Sequence, residues 1–210
     1  MKHIYILGAG GFGREVFQWM QETLDFKKEY QFKGFLDDDL QALDSFDFEI
    51  GVVGSIANYT HQEGDVLLCG LGNPLVKQKV CQPLLEAGAM FLTLVHPTAK
   101  VGRGCVIGLG SVICPQVILT CDVHVGSFVM MNIKSTAGHD VRIGDWSSVS
   151  AHCDCTGGVR IGESVFMGSG ARIIPQKKVD NQAIIGAGSV VIRDIAEGTT
   201  VFGNPARPLA

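Results

Sequence analysis

Met131-Asn132-Ile133-Lys134-Ser135-Thr136, Ala137-Gly138-His139-Asp140-Val141-Arg142, Ile143-Gly144-Asp145-Trp146-Ser147-Ser148 and Val149-Ser150-Ala151-His152-Cys153-Asp154 are four consecutive words of six residues. Each opens on an apolar residue and carries a small or β-branched residue in its fifth place. The period runs on in both directions. Val95, Val101, Ile107, Ile113, Leu119 and Val125 open the words before these, and Cys155, Ile161, Met167, Ile173, Val179, Ile185 and Val191 those after, seventeen words without a slip. A run of apolar openers this long is far outside chance at 46% hydrophobic content, so the count fixes the period.

Six residues are too few for a helical hairpin or a propeller blade; this period is the mark of a β-helix. Each word is a short strand and a corner, and three words close one triangular coil. Seventeen words make five to six coils, a prism roughly 25 Å tall at a strand spacing of about 4.8 Å. First and fifth places point inward. The second place is often glycine, as in Gly102, Gly108, Gly126, Gly138, Gly144, Gly162, Gly168 and Gly186, which predicts tight corners there. A β-sandwich would space its strands at about 8–12 residues with variable loops, and the strict period opposes it. Lys177 and Lys178 occupy places that usually prefer a small inward residue and a neutral one, so a bulge or a basic contact is expected near the last coils.

The chain before the prism reads as a small α/β domain, residues 1–92, with the β-helix over 93–210. Lys2–Leu7 is a strand. Gly8-Ala9-Gly10-Gly11-Phe12-Gly13 follows, and Arg14 to Leu24 reads as a helix. A glycine-rich turn between strand and helix aims backbone N–H groups and the positive helix end at a phosphate. Further strands are expected at Phe32–Leu36, Ile50–Val53, Val66–Gly70 and Phe91–Val95, with a helix from Leu75 to Ala87. The strand at Phe32–Leu36 ends in Asp37-Asp38-Asp39, where an acid commonly takes a ribose hydroxyl. A dinucleotide fold needs two such halves, about 150 residues; this domain has room for one. A single nucleoside diphosphate is therefore expected rather than NAD. After Ala196 the period stops, and Val201 to Arg207 reads as a cap over the open coil.

Net charge is -4 with no run of like charges, which leaves no basic footprint for nucleic acid or an anionic membrane. No apolar stretch approaches a membrane span, and glycines break the N-terminal apolar run, so it reads as a strand and not a signal peptide. The seven cysteines show no Cys-x-x-Cys spacing; they read as small buried hydrophobes in a reducing, cytoplasmic compartment, with Cys153 and Cys155 as metal ligands or redox partners the alternative.

Among the histidines, His139 is the informative one. With Asp140 it takes the third and fourth places of its word, on a corner and outward. An acid beside an imidazole holds its tautomer and stabilises the imidazolium formed on proton uptake. Neither the step from His124 to His139 nor that from His139 to His152 is a whole number of coils, so a shared zinc is not expected.

With Leu7–Val16, Gly34-Phe35-Leu36-Asp37-Asp38, Gly72-Asn73, Val95-His96-Pro97, Gly138-His139-Asp140, Gly157–Gly162 and Gly203–Arg207 taken together, the chain resembles the hexapeptide-repeat sugar acetyltransferases of bacterial glycan biosynthesis. Within them it is most similar to the group comprising sialic-acid O-acetyltransferases and UDP-4-amino-sugar N-acetyltransferases. The resemblance covers nearly the whole chain. It implies a homotrimer of left-handed prisms with acetyl-CoA in the cleft between neighbours. It also implies N-acetylation of a UDP-4-amino-4,6-dideoxy sugar for a surface glycan or glycoprotein, in the cytoplasm. By the same resemblance Gly10, Gly11, Phe12 and Gly13 approach the phosphates, Asp37 and Asp38 the uridine, and Asn73 and Lys77 lie nearby. His139 is the general base, Asp140 its orienting partner, and the Gly157 N–H the oxyanion donor; Gly157, Gly168, Ser169, Gly186 and Ala187 line the acetyl-CoA track. Two other outcomes stay open: an O-acetyltransferase of sialic acid or another sugar, and a nucleotide-sugar-binding scaffold without activity.

Overall fold

The computed structural model describes residues 1–23 and 28–209. In the N-terminal region five parallel strands form a sheet in the order β3-β2-β1-β4-β5, with β1 Lys2–Leu7, β2 Tyr30–Leu36, β3 Val52–Gly54, β4 Asp65–Cys69 and β5 Met90–Phe91. Helix α1 spans Gly11–Glu22 and helix α2 spans Pro74–Glu86. Helix α1 begins ahead of the expected Arg14, because the last glycine of the motif lies inside its first turn. The expected end of that helix at Leu24 falls outside the described residues. Val16, Trp19 and Met20 bury one stripe of α1 against Ile4, Ile6 and Leu68. Phe17 joins Phe32, Phe35 and Phe48 in an aromatic cluster with centroids 4.7–5.6 Å apart, a spacing that favours tilted ring pairs.

The expected single strand Phe91–Val95 is two. Met90–Phe91 closes the α/β sheet beside β4, whereas Leu94–Val95 opens the prism beside Val112–Ile113. From there the chain winds as a left-handed parallel β-helix of two-residue strands. Its first face stacks Lys100–Val101, Ile118–Leu119, Thr136–Ala137, Asp154–Cys155, Arg172–Ile173 and Val190–Val191 in register, each strand one coil above the last. The second face runs from Val106–Ile107 to Lys178–Val179, and the third from Leu94–Val95 to Thr200–Gly203. The openers from Ile113 to Val191 are buried; Val101, in the lowest coil, is 43% exposed. An antiparallel strand, Ala206–Pro208, pairs with Thr200–Gly203 and covers the top edge.

The corners differ from the sequence expectation in a telling way. Every sixth residue from 104 to 188 has φ between 54° and 74°, and these are the fourth places of the words. Ten are not glycine: Gln116, Asp122, Phe128, Lys134, Asp140, Trp146, His152, Ser164, Gln176 and Gln182. The left-handed region disfavours L-residues by roughly 1–2 kcal/mol each, so coil stacking must outweigh it. The second-place glycines answer a different need. A Cβ on Gly138 would stand 2.8 Å from the amide nitrogen of Gly157, and one on Gly168 2.6 Å from that of Ala187. Glycine is there to let one coil lie close on the next, not to bend the chain. At Lys177 and Lys178 no bulge forms: Arg160↔Lys178 and Ile161↔Val179 pair in register, and Lys178 makes an ion pair with Asp180 at 2.6 Å.

The α/β region sits on the third face and on the corner between the second and third faces. Phe128 and Trp146, in fourth places one coil apart on that corner, stack at 4.3 Å with planes 9° apart, and Phe91 meets Phe128 edge-on at 4.8 Å. Gln78 of α2 bonds Ser164 on the same corner. Lys77, expected beside the nucleotide, lies in this junction. It is 1% exposed, and its Nζ donates to the Ser147 carbonyl at 3.3 Å and Ser148 Oγ at 3.0 Å. An α2 side chain pointing down onto the prism cannot also reach the strand tips. Below, His96 at the start of the prism faces Glu22 at 2.8 Å, tying the end of α1 to the first coil.

Among the described residues no helix is long and apolar enough to cross a membrane.

Candidate functional site

At the tips of β1 and β2 the glycine turn is held from below. The Asp37 carboxylate accepts the Ala9 N–H at 2.7 Å and the Asp39 N–H at 3.0 Å, so both its oxygens are engaged in shaping the turn. Asp38 accepts the Ala57 N–H at 3.2 Å through Oδ1, which leaves Oδ2 for a ligand. Gly10 and Gly11 are exposed, whereas Gly13 is buried: a Cβ there would run into the carbonyl of Gly8. Gly13 thus serves helix–strand packing, and Gly10 and Gly11 form the open lip. Asn73 caps α2, its Oδ1 accepting the Val76 N–H at 3.1 Å.

A groove of 480 Å³ crosses the sheet face over β1–β3, with Tyr5, Lys33, Ser55, Asn58 and Tyr59 among its walls and none of the glycine-turn residues. The Tyr59 hydroxyl donates to the buried Asp65 carboxylate at 3.0 Å, and burial with that carboxylate pushes the phenol well above its usual range. No motif marks these residues; only the incomplete cover of the sheet reveals them.

The second cluster stands on the corner between the first and second faces. Asp140, at φ 61°, turns the chain so that its carboxylate meets His139 Nδ1 at 2.8 Å. Both side chains are more than half exposed. The ring leans up the column over Gly157. A Cβ at 157 would fall 2.7 Å from His139 Cε1 and closer still to Nε2, so only glycine leaves the imidazole its place. The His139 carbonyl accepts the Gly158 N–H at 2.8 Å, locking the two coils together. Among the described residues the Gly157 N–H has no acceptor, which leaves a donor open beside the imidazole.

Ser169 and Ala187 are exposed and Gly168 and Gly186 more covered, and all four lie on the remaining corner, between the third and first faces. One chain therefore brings His139, Asp140 and Gly157 together on one edge and holds the other track residues on a different edge, with the first face between. The cysteines are all free; Cys69, Cys81, Cys114, Cys153 and Cys155 are buried, and Cys121 is exposed. Burial pushes the Cys153 thiol up to about 11. Among the described residues no three His, Cys, Asp or Glu side chains stand together as metal ligands.

The chain as a whole is similar to known proteins. The family model for the PglD N-terminal domain matches residues 3–84. Over 214 residues the chain is 32% identical to GDP-perosamine N-acetyltransferase of Escherichia coli O157:H7, with 97% of this chain and 95% of that protein covered. The chain belongs to the hexapeptide-repeat sugar acetyltransferase family. The fold of this acetyltransferase matches the acetyltransferase domain of PglB from Neisseria gonorrhoeae FA1090 with a TM-score of 0.89 at 29% identity, covering all of both chains; that domain has also been solved with acetyl coenzyme A. WeeI from Acinetobacter baumannii AYE matches at 0.88 and 30% identity, again over all of both chains. PerB from Caulobacter crescentus, in complex with CoA and GDP-perosamine, matches at 0.89 and 25% identity, covering 100% of this chain and 98% of that one. The enzyme is an acetyl-CoA-dependent sugar acetyltransferase.

Proposed function

We propose that the enzyme transfers the acetyl group of acetyl-CoA to the amine of a nucleoside-diphosphate-linked amino sugar, with His139 as general base, in the cytoplasmic assembly of a bacterial surface glycan or glycoprotein. The observation that carries this reading is the arrangement of His139, Asp140 and the open Gly157 N–H on one corner. His139 takes the proton that the amine loses as it attacks the thioester carbonyl; the tetrahedral intermediate then collapses, the C–S bond breaks, and the departing CoA thiolate takes that proton, while Asp140 orients the ring and balances its charge. The Gly157 N–H faces the oxygen that becomes negative. Holding amine and thioester side by side supplies much of the remaining acceleration, and no acetylated side chain is required.

The nucleotide is read onto the glycine turn, with Gly10, Gly11 and Phe12 around the diphosphate and Asp38 at the ribose. Uridine is the base that the resemblance implies. The similarity along the full chain to a protein named for GDP-perosamine supports guanosine as the second candidate. The active assembly is read as a homotrimer. The glycine turn belongs to a domain packed on the third face, the catalytic corner is the edge opposite that face, and Gly168, Ser169, Gly186 and Ala187 lie on another edge. A cleft between two copies brings such edges together.

The test is turnover of acetyl-CoA with UDP- and GDP-linked 4-amino sugars, followed by mass spectrometry of the product. An acetamido sugar-nucleotide appearing with wild type and falling at least about a hundredfold with His139→Ala is expected. Equal rates in the two proteins would remove His139 from the mechanism, and acetylation of a hydroxyl alone would move the enzyme to the O-acetyl branch.

A further inference from the structure

Helix α1 opens on the exposed Gly10-Gly11 lip, where no side chain of the protein caps the first-turn N–H groups. Its N-cap is Gly10, with no side-chain cap, and its first turn has no acidic residue. The uncapped N–H groups and the helix dipole leave partial positive charge there. A cation is nevertheless placed on that turn: Arg14. Its guanidinium carbon lies 3.6 Å from the centre of the Phe46 ring, and a terminal nitrogen lies 4.0 Å from where a Cβ on Gly11 would stand. Arg14 thus lies toward the exposed lip of the turn, with its guanidinium over the Phe46 ring. Its Nε is sealed from solvent without a hydrogen-bond partner. Among the described residues no carboxylate lies within 4.0 Å of the guanidinium, and Glu15 beside it feels the cation only through space.

We infer that Arg14 is the diphosphate clamp of the nucleotide-sugar site, a binding residue that the glycine motif alone does not indicate. The inference rests on the reading of the Gly8–Gly13 turn as the diphosphate seat. A planar guanidinium offers two parallel donors to phosphate oxygens, and contact with the Phe46 ring restricts it before the ligand arrives. A diphosphate on this lip would meet the guanidinium and the N–H groups of the first turn together. Arg14 touches the diphosphate and not the reacting amine, so it governs affinity for the sugar-nucleotide and leaves the acetyl-CoA side alone.

The experiment is isothermal titration of wild type, Arg14→Gln, Arg14→Lys and Phe46→Leu with UDP, GDP and the matching nucleosides, alongside steady-state kinetics. Loss of one bidentate charged contact predicts a roughly 10- to 100-fold weaker diphosphate affinity in Arg14→Gln. Nucleoside affinity and the KM for acetyl-CoA should not change. Arg14→Lys should recover part of the loss, since it keeps the charge and gives up the fork. Phe46→Leu leaves the cation in place and should lose less, with the same selectivity for phosphate, which guards against a general unfolding of the turn. If wild type binds a diphosphate and Arg14→Gln binds it equally well, or loses nucleoside and diphosphate in the same ratio, the clamp is wrong while the nucleotide site stands. If wild type binds neither UDP nor GDP, the site and the clamp fall together.

Discussion

The imidazole of His139 occupies the space that a side chain on Gly157 would fill: a Cβ at 157 would come within 2.7 Å of Cε1. Gly157 is not among the glycines with positive φ, so its backbone accepts alanine, and the three atoms nearest to an added Cβ all belong to the imidazole. Gly157→Ala should leave the melting temperature nearly unchanged. It should also lower kcat by roughly 10- to 100-fold, because displacing a positioned base by about 1 Å has that effect. Turnover assays paired with thermal melts check this; full activity with an intact fold would disconnect the glycine from the base.

Asp140 does two jobs, and they can be separated. It holds His139 Nδ1, and it supplies a residue at φ 61°. Asparagine keeps the left-handed turn, since its side chain tolerates that region, but removes the charge. Asp140→Asn is expected to fold like wild type and to lose about tenfold or more in kcat with KM values little moved. Asp140→Ala should lose both activity and some stability. Equal kcat in Asp140→Asn and wild type would show that the carboxylate charge contributes nothing to the base.

Burial pulls the Lys77 ammonium from 10.5 down to about 8, against a smaller upward pull from Cys69 and Cys81. The folded value is the lower one, so between about pH 8 and 10.5 the unfolded chain binds more protons at this residue than the folded chain. Stability should therefore rise with pH across that window, by up to about 3 kcal/mol. Below that window both states carry the charge, and the cost of burying it is fully present. Urea midpoints of wild type and Lys77→Met at the two ends of the window test this: the variant should lack the rise attributable to the lysine.

Phe128 is 1% exposed between Phe91 and Trp146, where the α/β region meets the prism. Truncation of a fully buried Phe costs about 3–5 kcal/mol. Phe128→Ala should lower the melting temperature and raise amide exchange in α2 before it affects the upper coils. Uniform exchange across the whole chain would mean that the junction and the prism unfold as one unit.

The prism is legible because its signal repeats. An apolar opener in every word gives the period, three words give the coil, and one coil separates His139 from Gly157 whatever the details. The corners are legible only in place. Their left-handed residues include aspartate, lysine, phenylalanine, tryptophan and glutamine, and most of these types carry no local mark of positive φ; stacking imposes the conformation. The glycines stand out in the sequence, but the need they meet does not, since close approach between successive coils cannot be seen within one word. Lys77 misleads because a lysine on a surface helix ordinarily faces water, and the Ser147 and Ser148 acceptors that bury it lie far along the chain, on the prism. Arg14 is in plain view after the glycines. What gives it meaning is Phe46, and nothing in the sequence joins the two.

Register along the column sets a rule for how such a molecule can change length. Adding or removing three words between Val95 and Ala137 would make the tower one storey taller or shorter and leave the histidine on the same edge. Adding a single word would rotate everything above by a third of a turn and carry His139 to the edge beneath α2, where the α/β region would wall it in. Growth of this architecture is therefore quantised in whole storeys wherever a catalytic edge must keep its compass bearing.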